Sequence, residues 1–511
     1  MKRPHNAHRM TIFFAAVLLA TVYCLNGYGA ASRSQPNGKK LNVILFLADD
    51  FGWTDLACFG SHYYESPNID RLAREGMKFT QNYSACTVCS PSRAALMTGK
   101  YPARLHLTDW IPGLMPENPK LIVPDWTKYL PLTEVTIANA MHNAGYATAS
   151  IGKWHLGTEP YYPDKHGFDI NIAGTDAPNT KHYFSPYHIA TLTDGPNGEY
   201  VTDRLTSEAI HFIDSNAKAG KPFFLYLPHF AVHLPLQAKK RLIEKYKAKL
   251  KPGQAQSNPI YAAMIDSLDQ SMGRIRHELK RLNIADNTLV IFESDNGGRV
   301  PTTSNLPLRV GKGSAYEGGV RVPMIVYWPH VTEPGSECDS PVIGMDLVPT
   351  ILDVTGTPKI AQLGQDGVSL VPLLKQTGKL NRDELFWHYP HYQHYQLGGA
   401  TPYGAIRKGD YKLIEFFEDM HVELYNLRDD IGEQRNLAGQ MPEKVNELRN
   451  RLHQWRKEVG AQMPTPNPKY DPSKPEHTSN KTSKQPAKKL TSTSVVPDSG
   501  NPTGLAFDID D

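Results

Sequence analysis

The chain is poor in cysteine and carries little net charge. It has 5 cysteines among 511 residues, and their spacing forms neither the paired ligand pattern of a zinc ribbon nor a disulfide scaffold. Lysine and arginine total 55 against 52 acidic residues, a net charge of only +3, so a partner such as nucleic acid or an acidic membrane surface is not expected. The hydrophobic content of 40% is instead typical of a globular protein large enough for more than one domain.

The most prominent apolar run lies near the N-terminus. It extends from Ile12 to about Leu25, follows basic residues and precedes the small residues Gly29-Ala30-Ala31. The run is shorter than the roughly 20 residues that span a bilayer, so no stable membrane span is predicted. The pattern is that of a signal peptide over residues 1–31. We therefore expect export, to the periplasm or out of the cell.

The body of the chain alternates strand-like and helix-like segments. Short apolar runs predict strands at Leu41–Ala48, Tyr146–Ile151, Pro222–Leu227, Thr288–Ser294 and Val322–Trp328. Periodic segments between them predict a helix that is capped at Ser66-Pro67 and ends at Gly76, and further helices at Thr133–Ala144, Val201–Asn216, Pro259–Leu282 and Leu347–Val354. This alternation predicts an α/β fold with a mostly parallel sheet and helices on both faces.

The pattern of apolar and polar residues changes after about Pro372. Trp387–Tyr392 is predicted to be an aromatic loop, residues 405–417 and 422–427 alternate like antiparallel strands, and Lys444–Trp455 has a helical pattern. We expect a catalytic α/β domain over residues 32–371 and a smaller α+β subdomain with an antiparallel sheet over 372–463. Residues 464–511 are rich in Pro, Ser, Thr, Lys and Asn and are predicted to be a disordered tail.

One segment, Cys89-Ser90-Pro91-Ser92-Arg93, has the features of an anion site. Ser90 suits an N-cap and Pro91 the first helical position, so a helix is predicted from here to a stop at Gly99. Cys89 would then lie just before a helix N-terminus, where free N–H groups favour a sulfate or phosphate. A buried structural cysteine before an ordinary helix remains an equal alternative at this point.

Polar clusters follow four of the predicted strands. They are Asp49-Asp50, Lys153 with His155, His233, and Asp295-Asn296. Ligands bind at this edge of open α/β sheets, so the four clusters are expected to meet, although each acid alone is more often a cap or a turn residue. Oxygen ligands suit calcium or magnesium rather than zinc. A divalent cation with cationic groups such as Arg93 and Lys312 would hold a tetrahedral oxyanion.

These motifs together resemble those of the type I, formylglycine-dependent sulfatases. Cys89–Arg93 with Ala94–Gly99 is similar to the family signature, and four further segments resemble the metal, Lys/His and sulfate-binding motifs, namely Leu47–Trp53, Gly152–Gly157, Ser294–Gly298 and Pro307–Pro323. The resemblance implies an arylsulfatase-like enzyme with the alkaline-phosphatase-like sulfatase fold, similar to bacterial polysaccharide sulfatases. The chain departs from the family at Val232, where a proline is usual, but Pro235 is kept.

The resemblance also implies a role for each site residue. A maturation enzyme would convert Cys89 to Cα-formylglycine, and the modified residue 89, Asp49, Asp50, Asp295 and Asn296 would hold one divalent cation, expected to be Ca²⁺. The hydrated aldehyde, a gem-diol, would attack sulfur and form a covalent sulfo-enzyme. Arg93 and Lys153 would stabilise the diol and Lys312 the sulfate. His233 would protonate the leaving alcohol, and His155 would assist elimination of sulfate.

The expected substrate is a sulfated carbohydrate, with aryl sulfates as the simpler alternative. His388 and His391 of the aromatic segment are candidate sugar-binding residues, and a packed loop between domains is an equal interpretation of that segment. Two rival functions remain. One is a phosphatase or phosphonate monoester hydrolase of the same superfamily, although the sequence supplies ligands for only one metal. The other is a non-catalytic glycan-binding relative, against which the intact Cys89 and Arg93 argue.

Overall fold

A computed structural model describes Met1 and residues 40–114, 116–393 and 401–474. The predicted signal peptide and residues 475–511 of the predicted tail lie outside the described residues. From Lys40 onward the described residues belong to one compact unit. None of their helices combines the length and the apolar character that crossing a bilayer requires. Their four cysteines, Cys58, Cys86, Cys89 and Cys338, are free thiols.

An eight-stranded sheet forms the centre of the fold. Its strands are β1 (Asn42–Ala48), β2 (Met77–Phe79), β5 (Ala147–Ile151), β6 (Ile170–Ile172), β7 (Phe223–Pro228), β8 (Thr288–Ser294), β9 (Met324–Tyr327) and β10 (Ser336–Cys338). Two short strand pairs lie outside this sheet: β3 (Asn82–Tyr83) with β11 (Val342–Ile343), and β4 (Leu121–Ile122) with β16 (Thr465–Pro466). The strand order is β10-β2-β9-β8-β1-β7-β5-β6. Only β9 runs antiparallel to its neighbours in this sheet, which confirms the predicted, mostly parallel α/β architecture.

Helices cover both faces of this sheet. The helices of the described residues, not all of which touch this sheet, are α1 (Pro67–Glu75), α2 (Cys89–Thr98), α3 (Pro102–Leu105), α4 (Ile137–Asn143), α5 (Val201–Lys218), α6 (Lys240–Ala248), α7 (Pro259–Arg281), α8 (Glu317–Val320), α9 (Leu347–Thr355), α10 (Val371–Leu374) and α11 (Pro442–Glu458). Alternate residues of β1 point into two hydrophobic cores. Ile44 and Phe46 contact the core that contains α1, α5 and α7, whereas Val43 and Leu45 contact the core that contains α2, α4 and α9. Burial on both faces explains the continuous apolar run.

Two predicted helix starts are corrected. The helix with Cys89 begins at Cys89 itself with Val88 as its N-cap, because Ser90 uses its hydroxyl to accept the Ile111 N–H rather than to cap. The helix predicted from Thr133 begins only at Ile137, because the Thr136 side chain accepts the Asn139 N–H in a capping box. The predicted stop at Gly99 is confirmed, with φ of 66° in the left-handed region that glycine favours.

A smaller antiparallel sheet packs beside helix α2. It consists of β12 (Glu384–Tyr389), β13 (Tyr403–Lys408), β14 (Tyr411–Phe416) and β15 (Val422–Asn426), in that order. The predicted aromatic loop is therefore wrong in its first half, since Trp387 to Tyr389 belong to β12. The buried side of this sheet and helix α11 share a hydrophobic core with Cys86 and Val88, at the start of α2.

The predicted disordered tail is also corrected in its first part. Thr465 and Pro466 form β16, which pairs antiparallel with Leu121 and Ile122 of β4. The backbone N–H of Asn467 donates to the Lys120 carbonyl. Two strands of two residues each have little sequence signal, which explains why a proline- and serine-rich composition gave the wrong prediction here.

Candidate active site

Four adjacent parallel strands bring the predicted site residues together. In the order β8-β1-β7-β5, their carboxyl ends are followed within five residues by the polar clusters Asp295-Asn296, Asp49-Asp50, His233 and Lys153-His155. Asp50 has φ of 59°, a conformation that non-glycine residues adopt at a cost. A Cβ on Gly152 would lie 1.9 Å from the Pro228 carbonyl oxygen. Only glycine therefore lets β5 approach β7 closely enough to place Lys153.

The segment that contains Lys312 packs against Cys89 and places the Lys312 ammonium group beside its sulfur. The Lys312 N–H donates to the Gly298 carbonyl at 3.1 Å, and the Gly313 N–H donates to the Thr87 carbonyl at 3.1 Å. Lys312 Nζ lies 3.3 Å from Cys89 Sγ and 2.5 Å from Asp50 Oδ1. The same loop is thus tied both to the Asp295–Gly298 segment and to the residues before α2.

Three buried carboxylates meet three buried cations at this edge. Lys153 Nζ donates to Asp49 Oδ2 at 2.7 Å. Arg93 donates from Nε to Asp295 Oδ2 at 2.9 Å and from Nη1 to the Lys153 carbonyl at 2.8 Å. Lys312 pairs with Asp50. Such a network keeps the side chains in one arrangement, because each unpaired charge would be costly without water.

Burial and neighbouring charges shift the pKa values of the site's acidic groups in different directions. Burial, reinforced by the carboxylate of Asp295, raises the pKa of Asp49 to about 8. Burial opposes ionisation of Cys89 as well, but the charges of Lys153 and Lys312 lower the pKa of its thiol to about 7. Lys312 holds the pKa of Asp50 well below its usual value despite burial. The site therefore favours negative charge at position 89, beside two lysines.

The two catalytic histidine candidates differ in their protonation. His155 is fully buried, and burial together with the charge of Lys153 lowers its pKa well below the usual value. Its Nε2 lies 2.6 Å from the Ile111 carbonyl oxygen, so Nε2 carries the proton and Nδ1 is an acceptor. The side chain of His233 keeps 13% exposure, and its Nε2 lies 3.5 Å from Asp50 Oδ2. Burial opposes its charge, but Asp50 raises the pKa of His233.

The donor set fits a hard cation. Ligand atoms of Asp49, Asp50, Cys89 and His233 all lie within 4.8 Å of one another. Three buried oxygens, Asp49 Oδ1, Asp50 Oδ2 and Asn296 Oδ1, make no hydrogen bond within the described residues. Buried oxygens in this state are costly unless something binds them. Carboxylate and amide oxygens are the ligands of calcium and magnesium. Asp295 lies in the same cluster through its hydrogen bond from the Asp50 N–H at 3.1 Å.

The two candidate sugar-binding histidines occupy different surroundings. His388 Nε2 lies 2.8 Å from the Gln462 carbonyl oxygen, after the end of α11, and is not part of the catalytic cluster. His391 Nε2 lies 2.8 Å from the Thr108 hydroxyl, beside the buried Asp109. Sequence reasoning missed Asp109, since a lone acid between Thr108 and Trp110 follows no predicted strand and belongs to no motif.

Comparison with known proteins identifies the family. A family model described as Sulfatase matches residues 41–357, more than half of the chain. The chain belongs to the sulfatase family. This sulfatase is 35% identical over 512 residues to a protein named Sulfatase from Formosa agariphila, which covers 83% of this chain and 90% of that protein. It is 31% identical over 466 residues to human arylsulfatase A, across 80% of this chain and 86% of that one. It is therefore an arylsulfatase-like sulfuric ester hydrolase.

The C-terminal part of the sulfatase has a match of its own. A model described as N-sulphoglucosamine sulphohydrolase, C-terminal, matches residues 310–459. Among solved structures, Ps i-CgsB in complex with k-i-k-neocarrahexaose aligns with a TM-score of 0.70 and 29% identity, covering 82% of this chain and 93% of that chain. The sulfatase fold, including its smaller C-terminal sheet, is thereby confirmed.

Proposed function

We propose that this sulfatase removes O-sulfate groups from carbohydrates, through a formylglycine gem-diol at position 89 and a covalent sulfo-enzyme intermediate, with one calcium ion bound. The observation that carries the proposal is the convergence of Lys153, Lys312 and the strand-end carboxylates on Cys89. When bound by Asp49, Asp50, Asp295, Asn296 and residue 89, calcium would supply a positive charge to the sulfate oxygens. We further propose that the chain is exported and that a formylglycine-generating enzyme matures it.

The lysines and Arg93 prepare this site for a sulfate group. Lys312 Nζ lies at hydrogen-bond distance from both Asp50 and residue 89, so it can donate to a sulfate oxygen there without moving far. Lys153 and Arg93 keep the oxygen atoms of Asp49 and Asp295 in place. Donors that are fixed before the substrate arrives stabilise developing negative charge at little reorganisation cost.

The histidines divide the proton transfers between them. Asp50 raises the pKa of His233 and so favours the protonated ring. Nδ1–H of that ring faces the Leu234 carbonyl oxygen at 2.9 Å, which leaves Nε2–H to protonate the leaving alcohol as general acid. His155 stays neutral and has Nδ1 as its acceptor. It can therefore take the proton of a hydroxyl at residue 89 when sulfate leaves.

Two comparisons support a carbohydrate substrate. The C-terminal family model is named for a sulphohydrolase of N-sulphoglucosamine, and Ps i-CgsB is described in complex with a neocarrahexaose. Aryl sulfates would serve as model substrates, because their leaving groups need little protonation.

Sulfate release from a panel of sulfated mono- and oligosaccharides, run beside an aryl sulfate and an aryl phosphate, tests the proposal. We expect release from at least one carbohydrate sulfate, a preference for the aryl sulfate over the aryl phosphate, and loss of both activities in Cys89→Ala. Activity on aryl sulfates alone would contradict the carbohydrate assignment. A large preference for the phosphate would instead favour the phosphatase or phosphonate monoester hydrolase alternative. Inactivity with an unmodified Cys89, in protein from a host with the maturation machinery, would favour a non-catalytic relative.

A further inference from the structure

A buried polar cluster lies beside the catalytic residues and has no part in the sulfate chemistry. It consists of Asp109, His391 and Gln393, whose side chains are at most 1% exposed. Each retains an atom without a hydrogen bond of normal geometry within the described residues, namely Asp109 Oδ2, His391 Nδ1 and Gln393 Oε1. Three such atoms in one place are unusual for a packed core, because buried polar groups are normally paired.

One carboxylate oxygen of Asp109 has no hydrogen bond of normal geometry within the described residues, although the Leu114 backbone lies close enough to lower the pKa of this carboxyl, which burial raises overall. Oδ1 accepts hydrogen bonds from the Trp110 N–H, the Tyr389 hydroxyl and Gln393 Nε2. Oδ2 faces His391, whose Nδ1 lies 3.9 Å away, too far for a direct hydrogen bond. A hydroxyl group can bridge two such atoms, because it donates to one and accepts from the other.

His391 is suited to this bridge. Burial lowers its pKa to about 3, so the ring is neutral, and its Nε2 is engaged by the Thr108 hydroxyl at 2.8 Å. Its Nδ1 can then serve as donor or acceptor toward a bound hydroxyl, according to the tautomer. Burial raises the pKa of Asp109 to about 7, and the charge of Cys89 contributes to the rise. Asp109 therefore lies within electrostatic reach of residue 89.

The backbone of Ile111 connects the polar cluster to the catalytic residues. Ile111, two residues after Asp109, donates its N–H to the Ser90 hydroxyl at 3.1 Å and places its carbonyl oxygen 2.6 Å from His155 Nε2. One short loop thus touches the residue after Cys89, a catalytic histidine and the polar cluster. The loop therefore lies next to the position at which a sulfate group would be bound by residue 89.

Two half-buried tryptophans flank the same cluster. Trp110 follows Asp109 directly, and the indole of Trp126 contacts the ring of His391 edge-on, with 5.5 Å between the ring centroids. Aromatic faces beside a few fixed polar groups are typical of pockets that orient a small ligand. Sugars present both kinds of surface, C–H groups on their faces and hydroxyls on their edges.

We propose that Asp109 and His391, flanked by Trp110 and Trp126, form a sugar subsite in which a ring hydroxyl near the scissile sulfate bridges Asp109 Oδ2 and His391 Nδ1. This proposal rests on the proposed carbohydrate sulfatase function and adds the residues that select among sugars. In it, Asp109 determines specificity and takes no part in sulfur chemistry.

The test compares two substrates in matched variants of the full, matured enzyme. Asp109→Asn keeps the shape of the side chain and changes what it can accept, while Trp126→Ala removes a half-buried aromatic face. The control is Tyr129→Ala, an aromatic residue three positions further along that is 39% exposed and stacks on Tyr161. For each variant, kcat and KM are measured with an active carbohydrate sulfate and with 4-nitrophenyl sulfate.

We expect Asp109→Asn to lower kcat/KM for the carbohydrate roughly ten- to hundredfold, as when a hydrogen bond to a charged group is lost. Its loss on the aryl sulfate should be at least tenfold smaller. Trp126→Ala should raise KM for the carbohydrate roughly three- to tenfold, and Tyr129→Ala should match the wild type on both substrates. Equal losses on both substrates in Asp109→Asn and Trp126→Ala would overturn the subsite and leave the proposed function standing. Wild-type enzyme active on the aryl sulfate but on no carbohydrate sulfate would overturn both.

Discussion

Replacement of Lys412 by methionine should destabilise the fold strongly, although Lys412 lies on the smaller sheet, outside the catalytic cluster. Its ammonium group is fully buried between Glu317 Oε1 at 2.9 Å and Glu433 Oε1 at 3.0 Å. Glu317 begins helix α8, five residues after Lys312, and its N–H donates to Glu433 Oε2 at 2.6 Å. Lys412 therefore links the smaller sheet to the loop that carries Lys312, for which we propose sulfate binding.

The expected loss follows from the burial of all three groups. Lys412→Met leaves the carboxylates of Glu317 and Glu433 buried without their shared cation, and removal of one partner from a buried ion pair costs about 3–5 kcal/mol. Lys408→Met is the matched control. Lys408 lies on the neighbouring strand β13, pairs with Glu384, and has a side chain that is 34% exposed. An exposed pair of this kind is worth about 0–1 kcal/mol.

The free energy of unfolding in urea, measured by circular dichroism, distinguishes the two variants. The double variant Glu317→Gln/Lys412→Met should recover part of the lost stability, because it removes one of the two carboxylates that Lys412 pairs with. If Lys412→Met is no less stable than Lys408→Met, the buried ion pairs do not connect the smaller sheet to the loop that carries Lys312.

Further predictions concern the site and its surroundings. Lys312→Ala should lower kcat roughly a hundred- to thousandfold, as for loss of a fixed oxyanion donor, and a loss below tenfold would contradict its role. EDTA should lower both sulfate release and the melting temperature, and calcium should restore both; an unchanged melting temperature would argue against a metal at the buried oxygens. His233→Gln should lower kcat for a carbohydrate sulfate roughly 10²–10⁴-fold and kcat for 4-nitrophenyl sulfate much less. Equal losses on the two substrates would exclude His233 as the general acid. Burial opposes the ionisation of Glu317, but Lys412 lowers its pKa from 4.5 to about 2. This carboxylate therefore stabilises the fold above pH 4.5, and that stabilisation is lost as the pH falls toward 2. Glu317→Gln should remove part of that acid dependence in urea titrations, and an unchanged dependence would contradict the pairing.

Much of the candidate active site could be predicted because the signals are local. An apolar run that ends in a polar cluster identifies a strand and the edge at which it stops, and Asp49, Lys153 and Asp295 were all found in this way. Because parallel strands share that edge, the sequence predicts proximity without any knowledge of strand order. The resemblance to known motifs then assigned the residues that the strand-end pattern could not, such as Lys312.

The remaining features depend on contacts between distant segments. Asp109 has no local signal, and its surroundings come from residues almost 300 positions away, such as Tyr389 and His391. Ser90 is a good N-cap by local sequence, but in the fold its hydroxyl accepts the Ile111 N–H instead. The strand at Thr465 exists only because Leu121 and Ile122 present a partner edge. In each case tertiary hydrogen bonds decide the structure, and local propensity does not.

The central claim is that residue 89 becomes the nucleophile of a carbohydrate sulfatase. The most direct measurement is mass spectrometry of the peptide that contains position 89, from protein produced with a formylglycine-generating enzyme, combined with sulfate release from sulfated oligosaccharides by the same preparations. We predict an aldehyde in place of the Cys89 thiol and a rate of sulfate release proportional to the converted fraction. Full activity from protein whose Cys89 is entirely unmodified would contradict the account.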